Sequence, residues 1–273
     1  GDSFLAWTDN RSELLTSFYA CALTGVRLVT VDPRVNDADV LSEVLKEVQP
    51  STVLYSPSGK RDERARVLGQ LIPEIVDADC GMMQEPIRNR TFNKLRTVVS
   101  TEWEHPQYHG VLEFRGLLVE QCFPDLVAEV SRRLKDEPDT TILRSYAYSE
   151  GKLWKSKDLS QKEVSEYGEE VATKLGLTAD SIVGLDLPMF EPISLISAVA
   201  CLERNAMFFV PQAIPTLAST LEMTEKENVT HLITKESHAQ QLKQSHPKLL
   251  KMALYPTECC VCKPMSGLKV ESF

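Results

Sequence analysis

Residues 180–211 read DSIVGLDLPMFEPISLISAVACLERNAMFFVP. The run IVGL has the composition of a strand, ISLISAVACL that of a helix, Asn205 marks a turn, and MFFV reads as a second strand ending at Pro211. Residues 2–33, DSFLAWTDNRSELLTSFYACALTGVRLVTVDP, follow the same plan about 180 residues earlier. There a strand-like FLAW leads to the helical LLTSFYACAL, a break at Gly25, and the strand VRLVTV before Pro33. A second pair follows each copy. VLSEVLKEVQPSTVLY (40–55) places Val40, Leu41, Val44, Leu45 and Val48 at helical spacing and then continues as a strand; LASTLEMTEKENVTHLI (217–233) matches it. Each copy therefore reads β-α-β-α-β, an alternation that implies mainly parallel sheets covered by helices. The expected class is α/β with two pseudo-symmetric halves, 1–146 (the first copy and its connecting helices) and 147–273 (the second copy and a C-terminal tail).

Between the copies, KRDERARVLGQLI (60–72) reads as a charged helix, LRTVVS (95–100) as a strand and CFPDLVAEVSRRL (122–134) as a helix. KEVSEYGEEVATKL (162–175) is amphipathic and is closed by Gly176, a helix stop. KMALY (251–255) has the composition of one more strand. No low-complexity linker separates the halves, so they are expected to pack together.

Composition narrows the function. The chain has 273 residues, 42% of them apolar and 25% charged, as in an ordinary globular protein. A net charge of −9 argues against nucleic acid or anionic lipid as the main partner. The seven cysteines form no spaced framework and are expected as reduced thiols in cytosol or mitochondrial matrix. The longest apolar run, Leu195–Leu202, is far short of the roughly 20 residues a membrane-spanning helix needs. The first residue is Gly1 rather than Met, as expected after removal of a targeting peptide or of trimming.

The order of these segments resembles the large N-terminal domain of the adenylate-forming superfamily, which includes the acyl-CoA synthetases. The stretch from Gly1 to Val35 resembles the family's opening, in which Gly-Asp, a strand, an Asn and a helix lead to a strand and Asn-Pro-Arg. Residues 136–164, DEPDTTILRSYAYSEGKLWKSKDLSQKEV, fall where the family has its phosphate loop and the helix after it. Leu187-Pro188-Met189-Phe190-Glu191 resembles the family's Leu-Pro-Leu-Phe-His run before an apolar helix.

The family's phosphate loop reads Thr-Ser-Gly-Thr-Thr-Gly-x-Pro-Lys. Its glycines let backbone N–H groups turn around the phosphates of ATP, while hydroxyls and the lysine add donors and positive charge. Aligned on Ile142-Leu143, this chain offers Ser145, Tyr146, Ala147, Tyr148, Ser149 and Glu150 over the first six positions, followed by Gly151 and Lys152. Ala147 replaces one glycine and Glu150 the other, unless an insertion lets Gly151 serve. Tyr146 and Tyr148 are expected to fill space a nucleotide tail would need. A carboxylate about 5 Å from a phosphate charge costs on the order of 3 kcal/mol at an effective dielectric near 20. The loop therefore reads as vestigial, Glu191 stands where the family has its histidine, and neither catalytic residues nor a cofactor are expected.

Other constellations carry less. Cys259, Cys260 and Cys262 lack a second ligand pair nearby, so no metal is expected. His105 and His109 flank Pro106 and read as a surface loop; KRDERAR (60–66) reads as a solvated helix face. Ser149, Lys152 and Asp158 have no histidine close in sequence, and Tyr255-Pro256-Thr257-Glu258 only superficially resembles the family's Tyr-Gly-x-Thr-Glu. Trp154 suits either core or an interface anchor.

The resemblance with its losses implies a pseudoenzyme: a structural subunit of a large assembly, mitochondrial (matrix or matrix side of the inner membrane), whose partners are other protein subunits with lipid at the periphery. The nearest setting is a peripheral accessory subunit of a respiratory complex or ATP synthase, since the chain resembles accessory subunits of euglenozoan ATP synthases. Two alternatives stay open. One is a divergent ligase half that borrows a lid from another chain and uses Gly151, Lys152 and Lys155 on the phosphates; the other is a module that retains only an acyl or lipid pocket.

Overall fold

The computed structural model describes residues 2–57, 62–77, 86–102, 110–119, 124–135, 140–210, 213, 215–245, 249, 251–255 and 269–272. The first half contributes β1 (Ser3–Trp7), α1 (Ser12–Thr24), β2 (Arg27–Val31), α2 (Ala38–Val48), β3 (Thr52–Tyr55), α3 (Glu63–Leu71) and α4 (Glu74–Asp77). It continues through β4 (Thr97–Ser100), β5 (Leu112–Glu113), α5 (Phe114–Val119), α6 (Pro124–Lys135), β6 (Thr141–Ser149), β7 (Lys152–Lys155) and β8 (Leu159–Ser160). These strands form one sheet in the order β5-β4-β3-β1-β2-β6-β7, with β8 also on β6. All neighbours are parallel except β7 and β8, which run antiparallel to β6. The expected division at Tyr146 falls inside β6, and the first sheet continues to Ser160.

The second half contributes α7 (Gln161–Leu175), β9 (Ile182–Leu185), α8 (Pro192–Glu203), β10 (Met207–Phe209) and α9 (Leu217–Lys226), then β11 (His231–Lys235), α10 (Glu236–Ser245), β12 (Lys251–Tyr255) and β13 (Lys269–Ser272). Its sheet runs β10-β9-β11-β12-β13, with only β13 antiparallel to its neighbour. The internal repeat holds to the level of register. Phe4 lies between Leu28 and Thr52, and Val183 between Phe208 and His231. β12 repeats β4 beyond the copies seen in sequence, because both extend their sheet in parallel after an intervening helix.

The strand alternation sorts side chains into layers. Leu5, Trp7, Val29 and Val31 face α2 and α3 in one core, while Ala6 and Leu28 join α1, α7, α8 and the strands β9 and β11 in a central core. A third core lies between the far face of the second sheet and α9 and α10, through Met223, Leu232, Ala239, Leu242 and Met252. The sequence of α8 is apolar all round because both of its flanks are covered: nine of its residues, including Leu195, Ile196 and Ala200, are buried. By contrast α2 buries only the Leu41, Val44, Leu45 and Val48 stripe.

Local chemistry sets the ends. Asp37 caps α2, and the Ser160–Glu163 capping box opens α7. Gly176 ends α7 at φ 65°, a left-handed position that suits glycine. No helix among the described residues is long and apolar enough to cross a membrane.

Candidate functional site

Open α/β sheets bind ligands beyond the carboxyl ends of their strands, where the strand order reverses. In the first sheet that place lies between β1 and β3, and Arg64 fills it. Its guanidinium donates to Asp9 Oδ1 at 2.7 Å and Oδ2 at 3.2 Å and to Ser56 Oγ at 2.6 Å, and lies 5.7 Å over the Trp7 ring. The Arg64 side chain is 4% exposed, which corrects the reading of 60–66 as a solvated face: the carboxylate of Asp9 makes this one cation worth burying. The second sheet has a buried carboxylate at the matching place. Asp186 accepts from Thr220 Oγ1 at 2.5 Å and Thr234 Oγ1 at 2.6 Å, and pairs with His238 Nδ1 at 2.7 Å.

The stretch read as a vestigial phosphate loop is a β-hairpin. Ser145, Ala147 and Ser149 lie along β6, Glu150 and Gly151 form the turn with φ of 52° and 75°, and Lys152 opens β7 opposite Ser149. Two successive positive φ values define a tight turn of the kind that matches strand twist. Cross-strand pairs run from Tyr146–Lys155 to Ser149–Lys152, so ladder pairing extends to the turn itself.

The amides before the turn have partners inside the fold. Ser145 N–H donates to Ser156 Oγ at 2.9 Å and Tyr148 N–H to Asp32 Oδ2 at 3.1 Å. The side chain of Asp32 is fully buried and is gripped by Arg34, whose Nη2 and Nε donate at 2.6 and 3.0 Å. The Asp32 hydrogen bond holds Arg34 above its ordinary value, with the charge of Glu191 adding to it. A fixed carboxylate thus sits beneath the hairpin where an anionic ligand would want donors.

The two halves meet on the inner face of this hairpin. Thr30 Oγ1 lies 2.6 Å from both Ser145 Oγ and the Phe190 carbonyl, and Ala147 packs on Phe190. Asn10 stitches the same seam: its amide donates to the Leu187 carbonyl at 3.1 Å and accepts from Met189 N–H at 2.6 Å. The cross-seam bonds of Asn10 and the bond from Tyr148 to Asp32 are not readable from local sequence, because they span 177, 179 and 116 residues.

The tyrosines face the other way. Tyr146 is 1% exposed in the outer core with Trp7 and Val31, and Tyr148 packs at that core's edge, so neither occupies the seam. Strand alternation, once β6 runs through to Ser149, sends the odd-numbered residues inward and the tyrosines outward. Burial pushes the Tyr146 phenol up to about 12, beside Arg144 and Glu47. Arg144 pairs with Asp158 and holds its carboxyl below the usual range, and Lys155 pairs with Glu47. The structure sets Ser149 and Lys152 opposite one another but gives Asp158 to Arg144. Cys259, Cys260, Cys262, Trp103, His105, His109 and Pro256–Glu258 lie outside the described residues, while Tyr255 ends β12.

No family model and no curated protein matches the chain. Solved structures do. A chain assigned as a long-chain-fatty-acid CoA ligase from Rhodopseudomonas palustris superposes with a TM-score of 0.66 at 17% identity, over 94% of this chain and 57% of that one. The N-terminal domain of FACL13 from Mycobacterium tuberculosis gives 0.63 at 16% identity, over 93% and 56%. MbtA from Mycobacterium smegmatis gives 0.63 at 15%, over 93% and 42%. The fold is that of the N-terminal domain of acyl-CoA ligases. The chain spans little more than half the length of these solved structures, or less. Within this ligase-type fold, the pseudo-symmetric halves are the two sheets described above.

Proposed function

We propose that the chain is a non-catalytic relative of the ligase fold that serves as a structural subunit held against protein partners. The observation that carries this reading is the commitment of the Ser145 and Tyr148 amides to Ser156 and to the buried carboxylate of Asp32. A phosphate cradle needs convergent N–H groups and a positive field; this hairpin offers paired amides above a carboxylate that Arg34 already forks. The ligase-half alternative also loses a cation, since Lys155 is bound by Glu47.

Surface composition supports a covered face. In the first sheet β2 is flanked by β1 and β6, whereas its counterpart β10 has β9 as its one strand neighbour among the described residues. Beside that edge Met207 is 55% exposed and Leu202 60%, and Trp154 on β7 is 42% exposed. Large apolar side chains at a sheet edge are a hazard unless a partner covers them, and tryptophan is a frequent interface anchor.

The assembly we propose is mitochondrial, a respiratory complex or ATP synthase with this chain as a peripheral accessory subunit. The test is the native mass of the endogenous protein in mild-detergent extracts of its own mitochondria. Comigration with subunits of such a complex supports the reading; migration as a free chain overturns it.

A further inference from the structure

The segment from Pro86 to Thr101, PIRNRTFNKLRTVVST, contains Arg88, Arg90, Lys94 and Arg96 and not one acidic residue, in a chain whose net charge is −9. Its flanks are Glu85 and Glu102. The structure turns this sequence bias into a shape. Arg88, Arg90 and Arg96, with the amides Asn89 and Asn93, line an open groove of about 480 Å³.

The groove is held in place by the turn beneath it. Asn89 Oδ1 accepts from the N–H groups of Thr91 and Phe92, both at 2.9 Å, and its amide donates to Glu74 at 3.0 and 3.2 Å. Ile87 N–H donates to the Arg96 carbonyl at 2.8 Å, and Arg96 N–H to the Ser51 carbonyl at 2.8 Å. Ile87, Phe92 and Leu95 are buried in the outer core, which leaves the arginines outside. The groove lies just ahead of β3 and β4, at the opposite rim of the first sheet from the hairpin.

We propose that this groove docks an acidic segment of a protein partner. Guanidinium groups fork onto carboxylates, and three around one concavity supply a charge match that the acidic remainder of the surface would repel. Two other occupants fit less well. A small anionic ligand would be enclosed by buried donors, whereas Arg88, Arg90 and Arg96 are all exposed. An anionic membrane would want apolar side chains to insert beside the cations, and those of this segment point into the core. The inference holds whether or not the hairpin binds nucleotide.

The test is fluorescence anisotropy of a labelled peptide of alternating Asp and Gly, titrated with the chain at low ionic strength and at about 0.15 M. The double reversal R88E/R90E is expected to weaken binding at least tenfold, with its thermal unfolding unchanged. Arg96 is left intact because its Nη1 donates to the Asn93 carbonyl at 2.7 Å and so supports the turn. A charge-matched K162E/K226E variant is expected to bind as the wild type does. Equal loss in both variants, or none in R88E/R90E, overturns the proposal. So does displacement of the peptide by micromolar pyrophosphate, which would make the groove a small-anion site. Tighter binding to phosphatidylcholine vesicles containing cardiolipin, abolished by R88E/R90E, would make it a membrane contact.

Discussion

The backbone N–H of Tyr148 donates to the buried carboxylate of Asp32 at 3.1 Å, across a separation of 116 residues. That bond ties the end of β2 to the hairpin, and Arg34 closes the arrangement with a backbone donor at 2.9 Å and a guanidinium fork on the same carboxylate. In D32A the Tyr148 and Arg34 amides lose their acceptor, so a stability loss of about 2–4 kcal/mol is expected in urea unfolding. R34A leaves both backbone amides on the Asp32 carboxylate and removes only a guanidinium that is 70% exposed and screened by solvent, so it is expected to cost less than D32A. Equal costs would show that the ion pair, and not amide satisfaction, holds the hairpin.

The turn itself is strained at Glu150, a non-glycine residue at φ 52°. Asparagine tolerates that region better, so E150N is expected to stabilise the chain by about 0.5–1 kcal/mol. Destabilisation on the urea curve would mean that the Glu150 carboxylate has a structural role beyond the turn.

Cys21 in α1 and Cys201 in α8 occupy matching places in the repeat and are both buried, and burial pushes each thiol up to about 12. Near pH 8 the reactive thiolate is then about one part in ten thousand. Iodoacetamide followed by peptide mass mapping is expected to leave both unmodified in the native chain and to label both after denaturation. Rapid native labelling would place them at the surface.

His231 in β11 is held neutral, with its value lowered from 6.5 first by burial and then by Lys251. The unfolded chain therefore takes up this proton before the folded one does. The contribution of His231 is constant above the unfolded value, and stability falls as pH drops below about 6.5 toward the folded value. H231Q is expected to flatten the pH dependence of the urea midpoint in that window. An unchanged slope would assign it to other groups.

The repeat was legible because its signals are local. Apolar spacing marked α2, composition marked α8, Gly25 and Gly176 marked helix ends, and KMALY marked β12. The seam was not legible, since the bonds of Asn10 to Leu187 and Met189 span nearly the whole repeat. Arg64 misled for a related reason. A mixed-charge run on a helix is ordinarily solvated, and only the folded position of Asp9 makes burial of one arginine favourable. Tyr146 and Tyr148, expected to fill space beside a nucleotide tail, lie in and beside the outer core because a strand running through to Ser149 alternates, which a loop does not.

Hydrogen exchange of the Ser145 and Tyr148 amides, followed by NMR with and without magnesium ATP, tests most directly whether the hairpin is closed to phosphate. The expected result is slow exchange of both amides, unchanged by millimolar nucleotide. Fast exchange that becomes protected on adding ATP would show donors waiting for a ligand, and would contradict a non-catalytic role.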